Sequence, residues 1–353
     1  MAEFEIIDLS DSQKWNEYLQ RITLSHQDIY FTPEYYRLNE LQGDGKAQCF
    51  VFGKDGDIAL YPFLINSVNK LGYDLDKEYF DIQGVYGYNG VLTNYNSPAF
   101  LDSFYTCLDS YCDRNNIIAE FLRINPLLQN PLLYRTNFEL IHDRNNVTVN
   151  LLNENLFETE YEYSTRKNIK KAIRSGLTFK YVLGNEISCN DLESFYKVYD
   201  HTMKRNNADD YYYFSMKYFN NISTLLREKA LFVFDLVDNQ VISCELVLLG
   251  SKIAYSFLGG TLSDYYQYRP NDFLKYETIN LLKNKGFHNF LLGGGSEGVF
   301  NYKKSFSKSG VIPFYIGKKI HNNKIYDKVV TQWKIKNPEK VELYNKLVLK
   351  YRF

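Results

Sequence analysis

The sequence has no long apolar run. Nowhere in its 353 residues is there a stretch near the roughly 20 consecutive apolar residues that a membrane-spanning helix needs. The opening, MAEFEIIDLSDSQKW, has neither a basic n-region nor an apolar h-region. The expectation is a soluble, cytoplasmic protein without a membrane span, with peripheral membrane contact and oligomeric state left open. Charge of one sign is also lacking. The formal net charge is −1, so no global basic field argues for bulk nucleic-acid binding, and only local patches remain. Cysteine is scarce: Cys49, Cys107, Cys112, Cys189 and Cys244 are scattered, odd in number, and form no CxxC pair. That argues against a disulfide framework or a zinc site. Cys244 lies inside an apolar run and reads as packing. None of His26, His142, His201, His288 and His321 has the partner spacing of a metal site or a triad, so metal-free chemistry is expected.

What is present describes an ordinary globular chain. Hydrophobic residues make up 45% and charged ones 24%, the proportions of folded domains rather than disordered ones, and the length suits two domains. Aromatics reach 17%, with 32 tyrosines. Asn, Lys, Ile and Phe are abundant too, as AT-rich codons would give, so a tyrosine cluster weighs less here as a functional sign.

The order of elements occurs twice. AQCFVFGKDGDIALYPFLI (47–65) places two β-rich runs around Asp55-Gly56, a hairpin signal; FDIQGVYGYNGVLT (80–93) is a strand running into a Gly/Tyr loop. A helix over Ser97–Cys112 and a strand over Ile117–Ile124 follow. Later, ALFVFDLVDNQVISCELVLL (230–249) folds around Asp238-Asn239, Ile253–Gly260 is a strand, a helix spans 272–285 and a strand 287–292. Hairpin, strand with glycines, helix, strand therefore recurs at an offset of 183 positions at the hairpin (47→230) and 174 at the helix (97→271), the mark of a duplicated domain. The expected division is 1–158, 159–317 and a lysine-rich, helical tail over 318–353 that packs on the first domain.

Two stretches carry charge and loops suited to ligands. In YEYSTRKNIKKAIRSGLTFKYV (161–182), Arg166, Lys167, Lys170, Lys171 and Arg174 surround a helix with Ile169, Ala172 and Ile173 beneath, capped by Ser164. The patch is either a solvated linker helix or a contact for nucleotide or nucleic-acid phosphates. In YRPNDFLKYETINLLKNKGFHNFLLGGGSEGVFNYKKSF (268–306), Asn271 or Asp272 caps a helix whose open amide end suits an anion. A short strand then empties into Gly293-Gly294-Gly295-Ser296.

These stretches carry a family resemblance. STRKNIKKAIRSGLTF resembles the R-x-x-I-x-K-A-x-x-x-G helix of the Fem family, the aminoacyl-tRNA-dependent transferases that build peptidoglycan cross-bridges. YYYFSMKYFNNI (211–222) followed by ALFVFDL resembles that family's entry into its second domain, and RPNDFLKYETINLLKNKGFHNFLLGGG its P-N-x-L-L-x-x-E-A-I-x-x-A-x-x-x-G helix and strand. GVFNYKKSFSKSG is similar to its F-K-x-x-F-G segment, with Tyr302-Lys303 for Phe-Lys and Ser307 in place of the glycine. YFTPEYYRL and YGYNG resemble less specific motifs of Fem-like acyltransferases from surface-polysaccharide loci. The resemblance implies an α/β (α+β) chain of two tandem GNAT-like domains, with mixed sheets, that transfers an aminoacyl or acyl group to an amine. The second domain would hold the donor and the first would help bind a nucleotide-linked acceptor, a sugar or peptidoglycan precursor. The coenzyme A loop of ordinary GNAT enzymes is missing: Gln267-Tyr268-Arg269-Pro270-Asn271 stands there, without its glycines and with a proline that lacks an amide donor. This favours a donor other than ordinary acetyl-CoA. Aminoacyl-tRNA is the expected co-substrate, with no bound cofactor; the alternatives are an acyl-CoA-dependent sugar N-acyltransferase of surface-polysaccharide synthesis and a non-catalytic binding module with the same fold. No long coiled-coil insertion of the staphylococcal bridge enzymes is visible.

Aminoacyl transfer needs a neutral amine, an oxyanion stabiliser and a proton acceptor. Lys303 is the first candidate for the stabiliser, a role the family's matching lysine implies, against a lysine snorkelling over Tyr302 and Phe306; Lys304 competes with it. Gly293, Gly294, Gly295 and Ser296 either present backbone to a donor or simply end a strand. Asn271 reads as donor-side residue or cap, and Glu277 as buried base or exposed face. Tyr255 and Asp264 are further proton acceptors to weigh. On the acceptor side stand Tyr86 and Tyr88, as stacking walls or ordinary strand-end aromatics, together with Arg37 and Arg166 for phosphates.

Overall fold

The computed structural model describes residues 3–95, 97–128, 134 and 137–353. They fall into two compact units, one of Met1–Asp143 with Phe314–Phe353 and one of Arg144–Pro313. The division at Asp143/Arg144 precedes the expected 158/159 because Val147 and Val149 bury their side chains in the second core.

In the first unit β1 (Glu3–Asp8), α1 (Ser12–Gln20) and α2 (Pro33–Gln42) lead into the hairpin of β2 (Lys46–Lys54) and β3 (Asp57–Ser67). Asp55 (φ 54°) and Gly56 (φ 95°) make its turn, the two positive φ values that match the twist of a tight hairpin. β4 (Phe80–Gln83) runs antiparallel to β3, β5 (Leu92–Thr93) pairs β3 further along, and α3 (Pro98–Arg114) crosses to β6 (Ile117–Arg123), which is parallel to β4. Ser97 caps α3 by accepting from the Phe100 amide, with Pro98 in the first turn, where a missing N–H does no harm. Phe100, Phe104, Leu108 and Tyr111 recur at helical spacing and pack on Phe50, Tyr61 and Phe63.

The second unit repeats the plan. β7 (Glu139–Asn150), α4 (Leu156–Thr159), α5 (Tyr163–Arg174), β8 (Thr178–Leu183), α6 (Cys189–Arg205) and α7 (Met216–Leu226) precede the hairpin of β9 (Ala230–Val237) and β10 (Gln240–Leu249). Its turn is Asp238-Asn239, again with both φ positive, at 48° and 65°. β11 (Ile253–Thr261) is antiparallel to β10, and α8 (Pro270–Asn284) crosses to β12 (Asn289–Gly293), parallel to β11. α9 (Glu297–Lys304) follows. α6 and α7 cover one sheet face, where Phe195 meets Phe232, Phe234 and Phe219. α8 covers the other with Leu274, Ile279 and Leu282, beside Ile169 of α5.

The chain returns to the first unit along β13 (Val311–Ile320), whose Ile316–Ile320 pair antiparallel with β6. α10 (Asn323–Lys336) packs Val329, Val330 and Trp333 against Val68, Tyr79 and Ile118. The last residues are pinned there: the Tyr351 hydroxyl donates to Asp81 at 2.9 Å and Arg352 Nε at 2.8 Å. The duplicated α/β plan and its mixed sheets agree with the expectation from element order. Among the described residues no helix is long and apolar enough to cross a membrane.

Candidate active site

β10 has helices on both faces, and such strands ordinarily read as apolar throughout. ISCELVLL breaks the rule at every second residue near its start: Ser243 and Glu245 point to the α8 side, and Cys244 and Leu246 to the other. α8 answers with Lys275, on the helix face that also carries Thr278 and Leu282. Lys275 and Glu245 are 6% and 7% exposed. The Lys275 ammonium donates to both Glu245 oxygens, at 2.5 and 2.7 Å. Ser256 of β11 donates its hydroxyl to the same carboxylate and lies 3.3 Å from Lys275 Nζ, which sits over the Phe290 ring.

Beside this pair opens a cleft of about 260 Å³. One wall is α9, where the Tyr302 hydroxyl donates to the Asn271 carbonyl at 2.7 Å and the Lys303 ammonium to the Gly294 carbonyl at 2.6 Å. Another is the β11 end, where Ser243 and Thr261 hydroxyls meet at 2.7 Å and Thr261 donates to Asn271 Oδ1. Arg205 of α6 donates to the Thr261 carbonyl at 2.6 Å. Among the described residues, Arg205, Lys275 and Lys303 thus line the cleft against a single carboxylate, Glu245. Burial, and then the neighbouring Lys275 ammonium, push Lys303 down to about 8, with Glu245 opposing. Its charge is therefore available at neutral pH and lost within the mildly alkaline range.

Of the residues singled out in the sequence, the cleft gathers Lys303 and Asn271. Lys304 is exposed, which separates the two neighbouring lysines. Asn271 does not cap α8: Arg269, left-handed at φ 61°, holds the cap position, and the Asn271 side chain is taken by Thr261. Likewise Glu162 rather than Ser164 precedes α5. Gly293, Gly294, Gly295 and Ser296 are not lining residues. They turn the chain from β12 into α9, with positive φ at Gly293 (75°) and Gly295 (139°), and a side chain on Gly294 would come within 2.8 Å of Arg144. Gly294 contributes through its carbonyl, which holds Lys303, rather than through an amide donor. Ser296 is exposed and makes no side-chain cap.

Tyr255 is buried in β11 opposite Leu248, on the face away from Ser256. Glu277 is half-buried on α8, its carboxyl held above the usual range by burial; it lies near Asp235, whose fully buried carboxyl is pushed well up by burial and by Glu277. Asp264 is exposed. Arg166 pairs with Glu158 at 2.9 Å. In the first unit Arg37 donates to the Leu9 carbonyl at 2.8 Å, and Tyr86 is fastened through its backbone to Tyr35 and Asn39. Tyr88 stands edge-on to Tyr30 and Phe314. Among the described residues no group of His, Cys, Asp and Glu side chains converges as a metal site. Glu245, Lys275, Ser256 and Arg205 escaped the sequence reading. Their signal was a charge in each of two otherwise apolar stripes, one on a strand and one on a helix, with opposite signs.

An acetyltransferase (GNAT) domain model matches residues 163–304, the part of the chain that holds the cleft and all its charged residues. No curated protein matches the chain significantly. Among solved structures, FemX superposes with a TM-score of 0.69 at 15% identity, over 92% of this chain and 99% of its own. The C-terminal domain of a putative lysylphosphatidylglycerol synthetase from Agrobacterium fabrum gives 0.56 at 13% identity, over 94% and 96%. A tandem GNAT protein from the clavulanic acid biosynthesis pathway gives 0.53 at 8%, over 91% and 99%. The cleft thus lies inside a segment similar to acetyltransferase (GNAT) domains, and the chain as a whole, with its two units built on one plan, shares the fold of FemX and of a tandem GNAT protein.

Proposed function

We propose that the protein transfers an aminoacyl group from aminoacyl-tRNA to an amine of a nucleotide-linked sugar or another cell-envelope precursor. The observation that carries this reading is the Lys303 ammonium, held 2.6 Å from the Gly294 carbonyl at the edge of a cleft with a surplus of positive charge. A neutral acceptor amine attacks the ester carbonyl, and the carbonyl oxygen gathers negative charge that Lys303 is placed to meet. As the intermediate collapses, the C–N bond is kept and the C–O bond breaks. The nitrogen gives up a proton and the leaving ribose oxygen takes one up. A preorganised cation acting on the charge that develops in the transition state is worth on the order of 3 kcal/mol.

Two features support an aminoacyl ester over a coenzyme A thioester. The α8 start lacks a glycine loop: Gln267-Tyr268-Arg269-Pro270-Asn271 stands there, and Pro270 has no amide to donate to a pyrophosphate. The basic face of α5 offers phosphate contacts. The likeness in fold to a putative lysylphosphatidylglycerol synthetase and to FemX is compatible with an envelope acceptor. The second reading, an acyl-CoA-dependent sugar N-acyltransferase in surface-polysaccharide synthesis, is favoured by the acetyltransferase domain match. Incubation of the protein with amino-sugar nucleotides and either charged tRNA or acyl-CoA separates the two. Product that vanishes on ribonuclease treatment supports the first; ribonuclease-resistant product from acyl-CoA alone overturns it.

A further inference from the structure

We propose that Glu245, Lys275 and Ser256 are positioning residues that set the charge state of Lys303, through a buried ion pair built into the floor of the cleft. The inference rests on reading Lys303 as the cation of the transfer step. As a device for holding the fold together the pair is a poor choice. Removing two charges from water costs more than their attraction returns unless the geometry is excellent, and apolar residues of similar size often serve as well. The first unit illustrates this at the corresponding place between strand pair and helix, where Tyr61 and Phe63 of β3 meet Phe104 and Tyr111 of α3.

What the pair supplies is a fixed field. Both partners are nine-tenths buried, with the carboxylate clasped by the Lys275 ammonium on both oxygens and by Ser256 on one. Lys303 lines the same cleft from a different element and has one anchor, the Gly294 carbonyl. Lys275 disfavours a proton on Lys303 and Glu245 favours it, so the two halves of one ion pair act on Lys303 with opposite signs. The other groups facing this region are Arg205 from α6, Asp235 from β9, Cys244 from β10, Asp272 from α8 and Tyr302 from α9 itself, with Arg144 of β7 behind Gly294. None of them bonds to the Glu245 carboxylate, so exchanging the pair leaves their contacts in place.

The test is competitive labelling of the intact, full-length protein with acetic anhydride across pH, with acetylation of Lys303 read by mass spectrometry. Lys275→Met removes an ammonium, so Lys303 should hold its proton more tightly, by about threefold or more. Glu245→Gln leaves Lys275 without its counter-charge, and the titration should move the opposite way by a similar factor. If either single variant fails to fold, Glu245→Leu with Lys275→Met removes both charges together and should leave the Lys303 titration close to that of the parent. Shifts of one sign in both single variants, no shift in either, or a large shift in the double variant would overturn the proposal. The alkaline limb of the transfer rate should move with the labelling curve. If labelling shifts as expected while Lys303→Ala keeps its turnover, the role of Lys303 falls and the influence of the pair on it stands.

Discussion

The two units fold the same run of elements to different ends. In the first, the space between the hairpin, its neighbouring strand and the crossover helix is filled by rings: Phe50, Phe52, Tyr61 and Phe63 against Phe100, Phe104 and Tyr111. In the second, the matching space carries Ser243, Glu245 and Ser256 on the strands and Lys275 on the helix, and a cleft opens beside them. The first unit does bury a charge, Glu120, but satisfies it inside the fold with the Tyr61 hydroxyl at 2.5 Å and His321 at 2.9 Å. The difference is where the charge ends: in the first unit it is closed inside the fold, and in the second it lines a cleft.

Breaking each space should therefore damage different properties. Lys275→Ala strands a buried carboxylate and should cost about 3–5 kcal/mol. Phe104→Ala empties a ring from the first core at a similar cost of about 3–5 kcal/mol. Urea unfolding measures both. The distinction lies in the pH profile: Lys275→Met should shift the alkaline limb of transfer, Glu245→Leu with Lys275→Met should recover most of the stability and return that limb close to the parent's, and Phe104→Ala should leave it unmoved.

A smaller effect is expected on the basic face of α5. Lys167→Glu with Lys171→Glu should weaken tRNA binding by about tenfold or more and flatten its salt dependence by about one unit of slope per lost cation. Filter binding over a salt series reads this, while thermal stability should scarcely change. Smaller again in activity terms is Asp272, whose carboxyl is pushed up to about 6 by burial, against the opposing Asn168 bond and Arg269 charge. The folded protein thus binds this proton more tightly than the unfolded chain, so stability rises as pH falls from about 6 towards 4. Asp272→Asn should be more stable than the parent at pH 7, by about 1–2 kcal/mol allowing for residual solvent screening, and indistinguishable near pH 4. Melting curves at the two pH values check it. Lys304→Ala, an exposed change, should shift stability by less than about 0.5 kcal/mol and leave turnover intact.

The fold was legible because its signals are local. Asp55-Gly56 and Asp238-Asn239 announced two hairpins, Ser97-Pro98 a helix start, and the recurrence of the whole order announced the duplication. The C-terminal helix was legible as amphipathic, yet its anchoring by Tyr351 and Arg352 on Asp81 spans some 270 positions, beyond what periodicity can see. The site was legible in its adjacent parts only. Lys303 and Asn271 sit in one continuous stretch with the glycines. Glu245 and Ser256 come from strands whose pairing with α8 is tertiary, and one charge in an apolar strand has no meaning until its partner is known. The glycine turn misled for a related reason: sequence shows that a bend is needed, and not whether its amides or its carbonyls face the neighbour that matters.

The proposed function depends on the Lys303 ammonium acting on the carbonyl during transfer. The direct measurement is the single-turnover rate of aminoacyl transfer by Lys303→Ala beside the parent, across pH, with donor and acceptor saturating. The expected result is a loss of about 100-fold or more at pH 7, with donor binding retained, and a parent rate that declines above about pH 8 as the ammonium is lost. A Lys303→Ala enzyme that turns over within a few-fold of the parent, with the same alkaline limb, would contradict it.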